Sequence, residues 1–451
     1  MTRYASDQNR KASQEICATP FGDTLLIGAG PAAIHAAVQL SRGCSSKLGL
    51  LNREGPHAAR LLQALEQSQQ RISSRLQDEQ LQHLEGTVQL DHFYAGYMGL
   101  EAHGSWETII ICTPCDSYRD VIRQLKLERL PFVNTIILLS PSLGSNLLVN
   151  SELPIDRGID VISLSTYFAA TKFDSVSITA AYTKAMKKKV YVASNQANSL
   201  SIEPLRQFIS SMGIQCEKVS NPLEAESRSI TMYVHSPLFI NEFSLDQILS
   251  HSQEPSKKWM YKLYPEGPIT SQVIHVMAEL WREISRFLVK CGSKPINLLQ
   301  FMNDDNYPVR EESLSRYEIE HFAELEPIHQ EYLLYIRYSS LLIDPFSSID
   351  EKGKYFDFSA VPYKQVYQDG CGRWLIPRIP FEDYRRLKVL YGVAELMKVN
   401  MPQTLQLIRL FEQRLRQFIA EKGVSAIHPD MLNDTTSEDI DAIYRAWECT
   451  T

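Results

Sequence analysis

The chain has 451 residues, 44% hydrophobic and 22% charged, with a net charge of −7. That length exceeds one ordinary core and predicts two or three domains. The negative balance offers no basic field for nucleic acid, and no run reaches the roughly 18 consecutive apolar residues of a membrane span, so neither partner is expected. The first stretch, "MTRYASDQNRKASQEICATPFGD", lacks the apolar region of a secretory signal. Residues 1–20 read as a flexible extension. Eight scattered cysteines fit a reducing compartment, so a cytoplasmic location is expected. The one CxxC, Cys112 to Cys115, has no second pair and reads as chance.

From residue 23 to 165, strand and helix patterns alternate. "DTLLIG" is an apolar strand and "PAAIHAAVQLSR" a helix. "KLGLLN" is a second strand, and 57–77 reads as one long helix. "WETIIICTP", "VNTIILLSPS" and "GIDVISLSTYF" are further buried strands, with the helix "DSYRDVIRQLKL" between the first two. Continuous apolar strands separated by helices predict a parallel sheet covered on both faces. Next, "SVSITAAYTKAMKKKVYVAS" reads as two strands around a turn, with Lys187–Lys189 on a solvated hairpin face. "SIEPLRQFISSMG" is a helix ended by Gly213.

Beyond Asn221 the chain turns helical. "PLEAESRSITMYVHSPLFINEFSL" reads as a long helix with Pro222 near its start. Ile269, Val273, Met277, Leu280, Ile284 and Leu288 mark another, stopped at Cys291–Gly292. Residues 383–422 give one or two more, broken near "NMPQT". Residues 339–380 read as irregular connections. The fold class expected is α/β. A flexible 1–20 precedes a Rossmann-like, doubly wound NADP-binding domain over 21–220 and a mainly α-helical substrate and catalytic domain over 221–451. The crevice between the two is where catalysis is expected.

Gly28-Ala29-Gly30-Pro31-Ala32-Ala33 follows an apolar strand and opens a helix, as a dinucleotide fingerprint requires. Gly28 permits the tight turn and Gly30 the approach of pyrophosphate. Ala33 is small enough for the third, helix-packing position. The helix N-terminus then holds the phosphates. The second strand ends in Leu51-Asn52-Arg53-Glu54. An Asp or Glu there reads the ribose of NAD. Arg53, followed by Arg60, instead suits the 2′-phosphate of NADP, and Glu54 is the competing ribose ligand. NADPH is the cofactor expected. Thr113 and Pro114 end a strand at the turn that runs beneath the nicotinamide ribose. Ser140 ends the next.

Reduction of C=O or C=N needs a proton donor, and His is the usual one. Of eleven histidines, His235 falls where the interdomain wall is expected. Arg228, seven residues earlier, reads as lying on the same helical face, placed to bind a substrate carboxylate. The opposing reading is a buried His bonded to a carbonyl, with Arg228 paired to Glu224. Position alone leaves both open.

"IGAGPAA", "ISLSTYF", "NPLEAESRSITMYVHSPLFINEFSL", "LLQFMNDDNYP" and "IPFEDYRRL" occur in this order. Together they resemble the opine dehydrogenases, and within them the branch that makes opine metallophores such as staphylopine, pseudopaline and yersinopine. The resemblance runs from about Thr24 to Gly423, and the segment around 339–370 is extra to the broader family. It implies reductive condensation of an amino-acid-derived amine with a 2-keto acid through an imine. His235 would be the acid/base, oriented by an acid of the helical domain. Asp383 of Glu382-Asp383 occupies the family's place for that acid, with Asp305 and Asp304 as rivals; a helix cap is the competing use of the pair. The branch further implies an aminobutyrate-extended, histidine-derived amine, pyruvate in preference to 2-oxoglutarate, and a homodimer. No resident metal is expected, since no HxxH, HExxH or cysteine cluster occurs. Two other classes remain at this point: another NAD(P)-dependent 2-hydroxy acid or polyol phosphate dehydrogenase, and a non-catalytic NADPH sensor.

Overall fold

The structure is a computed structural model that describes residues 19–103, 105–251, 257–340 and 359–449. Residues 1–18 of the expected extension and 341–358 of the expected irregular connection lie outside that set. The nucleotide half runs β1 (Asp23–Ile27), α1 (Pro31–Leu40), β2 (Lys47–Asn52), α2 (Pro56–Gln67), β3 (Arg71–Leu76), β4 (Gly86–Gln89), β5 (His92–Ala95), β6 (Thr108–Ile111), α3 (Tyr118–Leu125), β7 (Thr135–Leu138), α4 (Ser145–Ser151), β8 (Asp160–Leu164), β9 (Ala169–Phe173), β10 (Ala180–Met186), β11 (Lys189–Ser194), α5 (Ile202–Ser210) and β12 (Gln215–Lys218).

Among the described residues, eight strands form one sheet in the order β12-β11-β8-β7-β6-β1-β2-β5. Pairing is parallel except between β11 and β8, so β11 and β12 run opposite to the rest. Fully buried strands such as Asp23–Ile27 and Thr135–Leu138 explain the continuous apolar runs. Chain order reverses at β1, which pairs β2 on one side and β6 on the other. Ligands of such sheets bind at that switch point, beyond the strands' carboxyl ends.

Two sequence expectations fail here. The helix expected over 57–77 stops at Gln67; Gln69 and Gln70 take left-handed backbone (φ 56° and 60°) and Arg71–Leu76 becomes β3. Its buried positions Ile72, Ser74 and Leu76 follow a period of two. The strands around Lys187 exist but do not form a hairpin. β10 joins a second sheet, β4-β3-β10-β9, while β11 enters the main sheet. Lys187 and Lys188 therefore bridge two sheets. Lys188 is exposed, but Lys187 and Lys189 are half-buried.

The helical half comprises α6 (Pro222–Ser227), α7 (Ile230–Phe239), α8 (Glu242–Leu249), α9 (Ser271–Lys290), α10 (Leu298–Asp304), α11 (Arg316–His321), α12 (Pro327–Ser340), α13 (Arg378–Leu396), α14 (Pro402–Lys422), α15 (Pro429–Leu432) and α16 (Thr436–Glu448), with a small hairpin, β13 (Tyr367–Gln368) and β14 (Trp374–Leu375), before α13. The long helix expected after Asn221 is three short ones. Ser229 is extended (φ −111°, ψ 114°), and Asn241 starts α8 by accepting a hydrogen bond from the Ser244 N–H. Arg228 and His235 thus stand on either side of a break and share no helical face. α9 forms as expected, capped by Thr270, with Val273, Met277, Leu280, Ile284 and Leu288 all buried in the helical core.

The last helix returns to the nucleotide half. α16 packs against α4 and α13, with Ile443 against Gly144 and Ile440 against Gly392. Arg119 of α3, itself buried, pairs with Glu438 at 2.9 Å and Asp439 at 3.1 Å. These contacts tie the helical half to the sheet. No helix among the described residues is long and apolar enough to cross a membrane.

Candidate active site

The turn after β1 is shaped for close approach. Gly28 has φ +98°, and a Cβ there would stand 2.7 Å from Thr113 Cγ2. A side chain is excluded both by conformation and by space. Gly30 faces open space within 4 Å and leads into α1 with no side-chain cap on the helix's first N–H groups. Those free donors and the helix dipole suit a pyrophosphate. Pro31 occupies the first turn and Ala32 and Ala33 follow, Ala33 being fully buried.

Asn52, at the end of β2, accepts from the Ala29 N–H at 3.2 Å, and the His57 ring bonds the Ala29 carbonyl at 3.2 Å. His57 was invisible as a partner of this turn in the sequence, because α2 brings it back across 28 residues. Arg53 and Arg60 are exposed and form no ion pair among the described residues. Both fit a 2′-phosphate at the end of β2. Glu54 instead turns toward Gly96. Thr113 is half-buried and accepts from Ser117 Oγ at 2.9 Å, Pro114 is exposed beside it, and Ser140 is half-buried at the end of β7. Burial raises the thiols of Cys112 and Cys115, the reverse of what thiolate or zinc chemistry needs.

A cleft opens where Pro141–Leu143, after β7, faces α7 and α13. Asp383 and Arg386 of α13 line it, with Leu387 and Leu390 beside them. His235 Nδ1 lies 3.5 Å from Asp383 Oδ2, and both side chains are largely buried. That contact is at the outer limit of a hydrogen bond. It is an ion-pair contact only: Asp383 Oδ2 closes no hydrogen bond among the described residues, while its Oδ1 lies 3.9 Å from Arg386 Nη1. Arg386 is further tied to Glu382 and, from Nε, to Cys115 Sγ at 3.3 Å. The cap alternative for Glu382-Asp383 does not describe them: both sit past the kink at Ile379, on the first turn of a buried helix, and neither caps its N-terminus.

The rival acids are engaged elsewhere. Asp304 pairs with Arg316 at 2.7 Å. Asp305 accepts from the Tyr191 hydroxyl at 2.5 Å and lies 3.9 Å from Lys189. Burial raises its carboxyl despite both neighbours. Asp305 lines a second cavity, together with Lys187, Lys189, Tyr191 and Arg228. Arg228 pairs with Glu224 at 2.9 Å and stacks on the Tyr191 ring at 4.5 Å. The two cavities share Ser229, at the break between α6 and α7, and Thr231, in the first turn of α7. The structure thus brings together His235 with Asp383, and Arg228 with Asp305, in adjoining spaces.

Glu226 fixes this break against the sheet. Fully buried, it accepts from the Gly144 and Asn146 N–H groups and from Ser163 Oγ, each at 2.8 Å. Burial pushes its carboxyl up to about 8 against those three donors. Among the described residues, His275, Glu279 and Glu331 place ligand-type atoms within 4.8 Å of one another. Arg282 already pairs with both carboxylates of that group, at 2.5 Å from Glu279 and 3.9 Å from Glu331.

Comparison with known proteins sets this geometry in context. The family described as staphylopine dehydrogenase matches residues 22–447. The pseudopaline synthase of Pseudomonas aeruginosa is 43% identical over 96% of this chain and 98% of its own length. The staphylopine synthase of Staphylococcus aureus is 39% identical over 86% of this chain and 89% of its own. A solved yersinopine dehydrogenase with NADP+ bound superposes with a TM-score of 0.87 at 36% identity, covering 95% of this chain and 99% of that one.

Proposed function

The chain belongs to the staphylopine dehydrogenase family, NADP-dependent oxidoreductases that act on CH–NH bonds, and on that premise we propose the reaction and the roles of its residues. The enzyme condenses an aminobutyrate-extended amino acid, histidine-derived, with a 2-keto acid, pyruvate in preference to 2-oxoglutarate, and reduces the resulting imine to an opine metallophore. The observation that carries the reading is the His235–Asp383 pair beside the cleft at the carboxyl ends of the strands.

NADP(H) fits the turn from Gly28 to Ala33, with Arg53 and Arg60 toward the 2′-phosphate and Thr113, Pro114 and Ser140 along the nicotinamide end. When bound, NADPH supplies the hydride that reduces the imine carbon. The amine nitrogen attacks the keto carbon and loses one proton; the former carbonyl oxygen takes one proton from solvent to become a hydroxyl and a second as it leaves as water, so that a protonated imine remains to be reduced. His235 accepts the first proton and returns it to the departing hydroxyl. With Nδ1 turned to Asp383, Nε2 is the atom that exchanges it, and the Asp383 carboxylate stabilises the imidazolium in between. Leu387, Leu390 and Met232 line the cleft and keep bulk water from the imine. Arg228 offers a cation for a substrate carboxylate.

A cytoplasmic homodimer belongs to the same proposal, and light scattering on the purified chain reads the assembly. The deciding experiment is mass spectrometry of products after incubation with NADPH, a keto acid and the extended amine. A product equal in mass to both substrates less water plus two hydrogens is expected. NADPH oxidation with keto acid alone, at the same rate whether or not amine is present, refutes the reading.

A further inference from the structure

The second cavity holds a lysine with no partner of its own among the described residues, Lys187, to which the reaction above assigns no role. Lys189 is matched by Glu217 at 2.9 Å and by Asp305. Arg228 is matched by Glu224. Lys187 is half-buried, yet it has no ion pair and no side-chain hydrogen bond among the described residues. Burial pulls its ammonium below the usual lysine range, as expected where nothing opposes desolvation. Arg228 Nε is also buried without a partner. A lysine with no ion pair of its own and an arginine with one buried N–H lacking an acceptor therefore line the same space. Buried donors and charges are ordinarily satisfied, and what would satisfy these two is a single monoanion with two acceptor oxygens. A carboxylate supplies those two oxygens and adds a single negative charge beside Glu217, Glu224 and Asp305; a phosphate dianion adds two.

The cavity's place gives the ligand's direction. It adjoins the His235–Asp383 cleft through Ser229 and Thr231. It lies past the end of β8, at Thr166, and at the start of β11, further from β2 than the cleft. We propose that Lys187 and Arg228 Nε bind the carboxylate at the end of the amine substrate remote from its reacting nitrogen. The subsite thereby selects extended amines over simple amino acids, whose single carboxylate sits next to the reacting nitrogen. This rests on the opine-forming reading above.

The test compares aminobutyrate-extended histidine with its carboxamide at the histidine carboxyl, using the full-length enzyme, NADPH and pyruvate. Wild type is expected to show a KM on the order of tenfold or more higher for the amide. Lys187→Met raises the KM of the acid to about that of the amide and leaves the amide and pyruvate values within about threefold. Lys187→Arg restores the preference. Discrimination kept at the wild-type level in Lys187→Met, or absent in wild type, overturns the proposal. If wild type turns over neither compound, the opine reading has failed, and calorimetry of the same two compounds on the NADP+-loaded protein decides the subsite. There, an acid preference that Lys187→Met abolishes supports it. No preference, or one that survives Lys187→Met, overturns it.

Discussion

Replacing Asp383 with asparagine removes one charge and keeps the shape of the side chain. In the structure the carboxylate stands 3.5 Å from His235 Nδ1, both groups out of water. Two unit charges at that distance interact by roughly 5 kcal/mol at an effective dielectric constant of about 20. Arg386, 3.9 Å from the other oxygen, offsets part of this. An asparagine at 383 also turns either an amide N–H or an oxygen to the ring, so the tautomer is no longer fixed. We expect kcat/KM to fall by on the order of 10²-fold to 10³-fold, about 3 to 4 kcal/mol of transition-state stabilisation. His235→Ala should lose at least 10²-fold. The assay is steady-state NADPH oxidation with keto acid and amine both varied, with NADPH binding followed by fluorescence to show that the cofactor site is intact. Asp304→Asn, in the Arg316 pair, should change kcat by less than about threefold. A fall in Asp383→Asn of less than about threefold, or a kcat loss in Asp305→Asn as large as in Asp383→Asn, would refute the assignment of Asp383 as the partner of His235.

Three further outcomes follow from particular contacts. Arg53→Ala together with Arg60→Ala should raise the KM for NADPH roughly tenfold or more while leaving that for NADH nearly unchanged, because only the 2′-phosphate loses its partners; an equal effect on both cofactors would count against it. Gly28→Ala should abolish measurable NADPH binding at micromolar concentrations, since its φ is +98° and a Cβ would stand 2.7 Å from Thr113 Cγ2; fluorescence titration checks this. His35, in α1, is fully buried against Tyr167, and burial lowers its pKa to about 4. A histidine depressed in the folded state stabilises the protein above its unfolded pKa of about 6.5, and that contribution is lost as pH falls toward 4. The window spans about 2.5 pH units, so the loss is on the order of 3 kcal/mol. Thermal melts from pH 7 to pH 4 should show a shallower acid decline in His35→Gln than in wild type, and parallel declines would contradict the argument.

Much of the site was legible because its signals are local. The turn from Gly28 to Ala33 states its purpose within six residues, through where glycine is needed and where a small residue suffices. Arg53 is readable for the same reason: the end of a strand is found from the strand's own apolar run. The helix α9 declares itself by period. The sequence also carried His235 and the Glu382-Asp383 pair, but only as residues of the right chemistry in the right half of the chain.

What the sequence could not decide was which distant residues meet. Asp383 and Asp305 are equally acidic and equally helical in pattern. Only the packing of α13 against α7 turns one toward His235, while Tyr191 of β11 claims the other. "RISSRL" is too short and too polar for a strand to be told from a helix end, and it becomes β3 because α1 offers Ile72 and Leu76 a buried face. The same limit hid the break at Arg228–Ser229. Helical periodicity runs unbroken through the letters, but Glu226 must reach the buried N–H groups of Gly144 and Asn146, and that attachment holds α6 apart from α7. Lys187 shows the difference most plainly. Its sequence neighbours describe an exposed lysine run, yet β10 and β11 enter different sheets and carry it into a cavity beside Arg228. Burial and pairing depend on contacts between residues far apart in the chain, whereas turn chemistry and periodicity are set by residues a few positions apart.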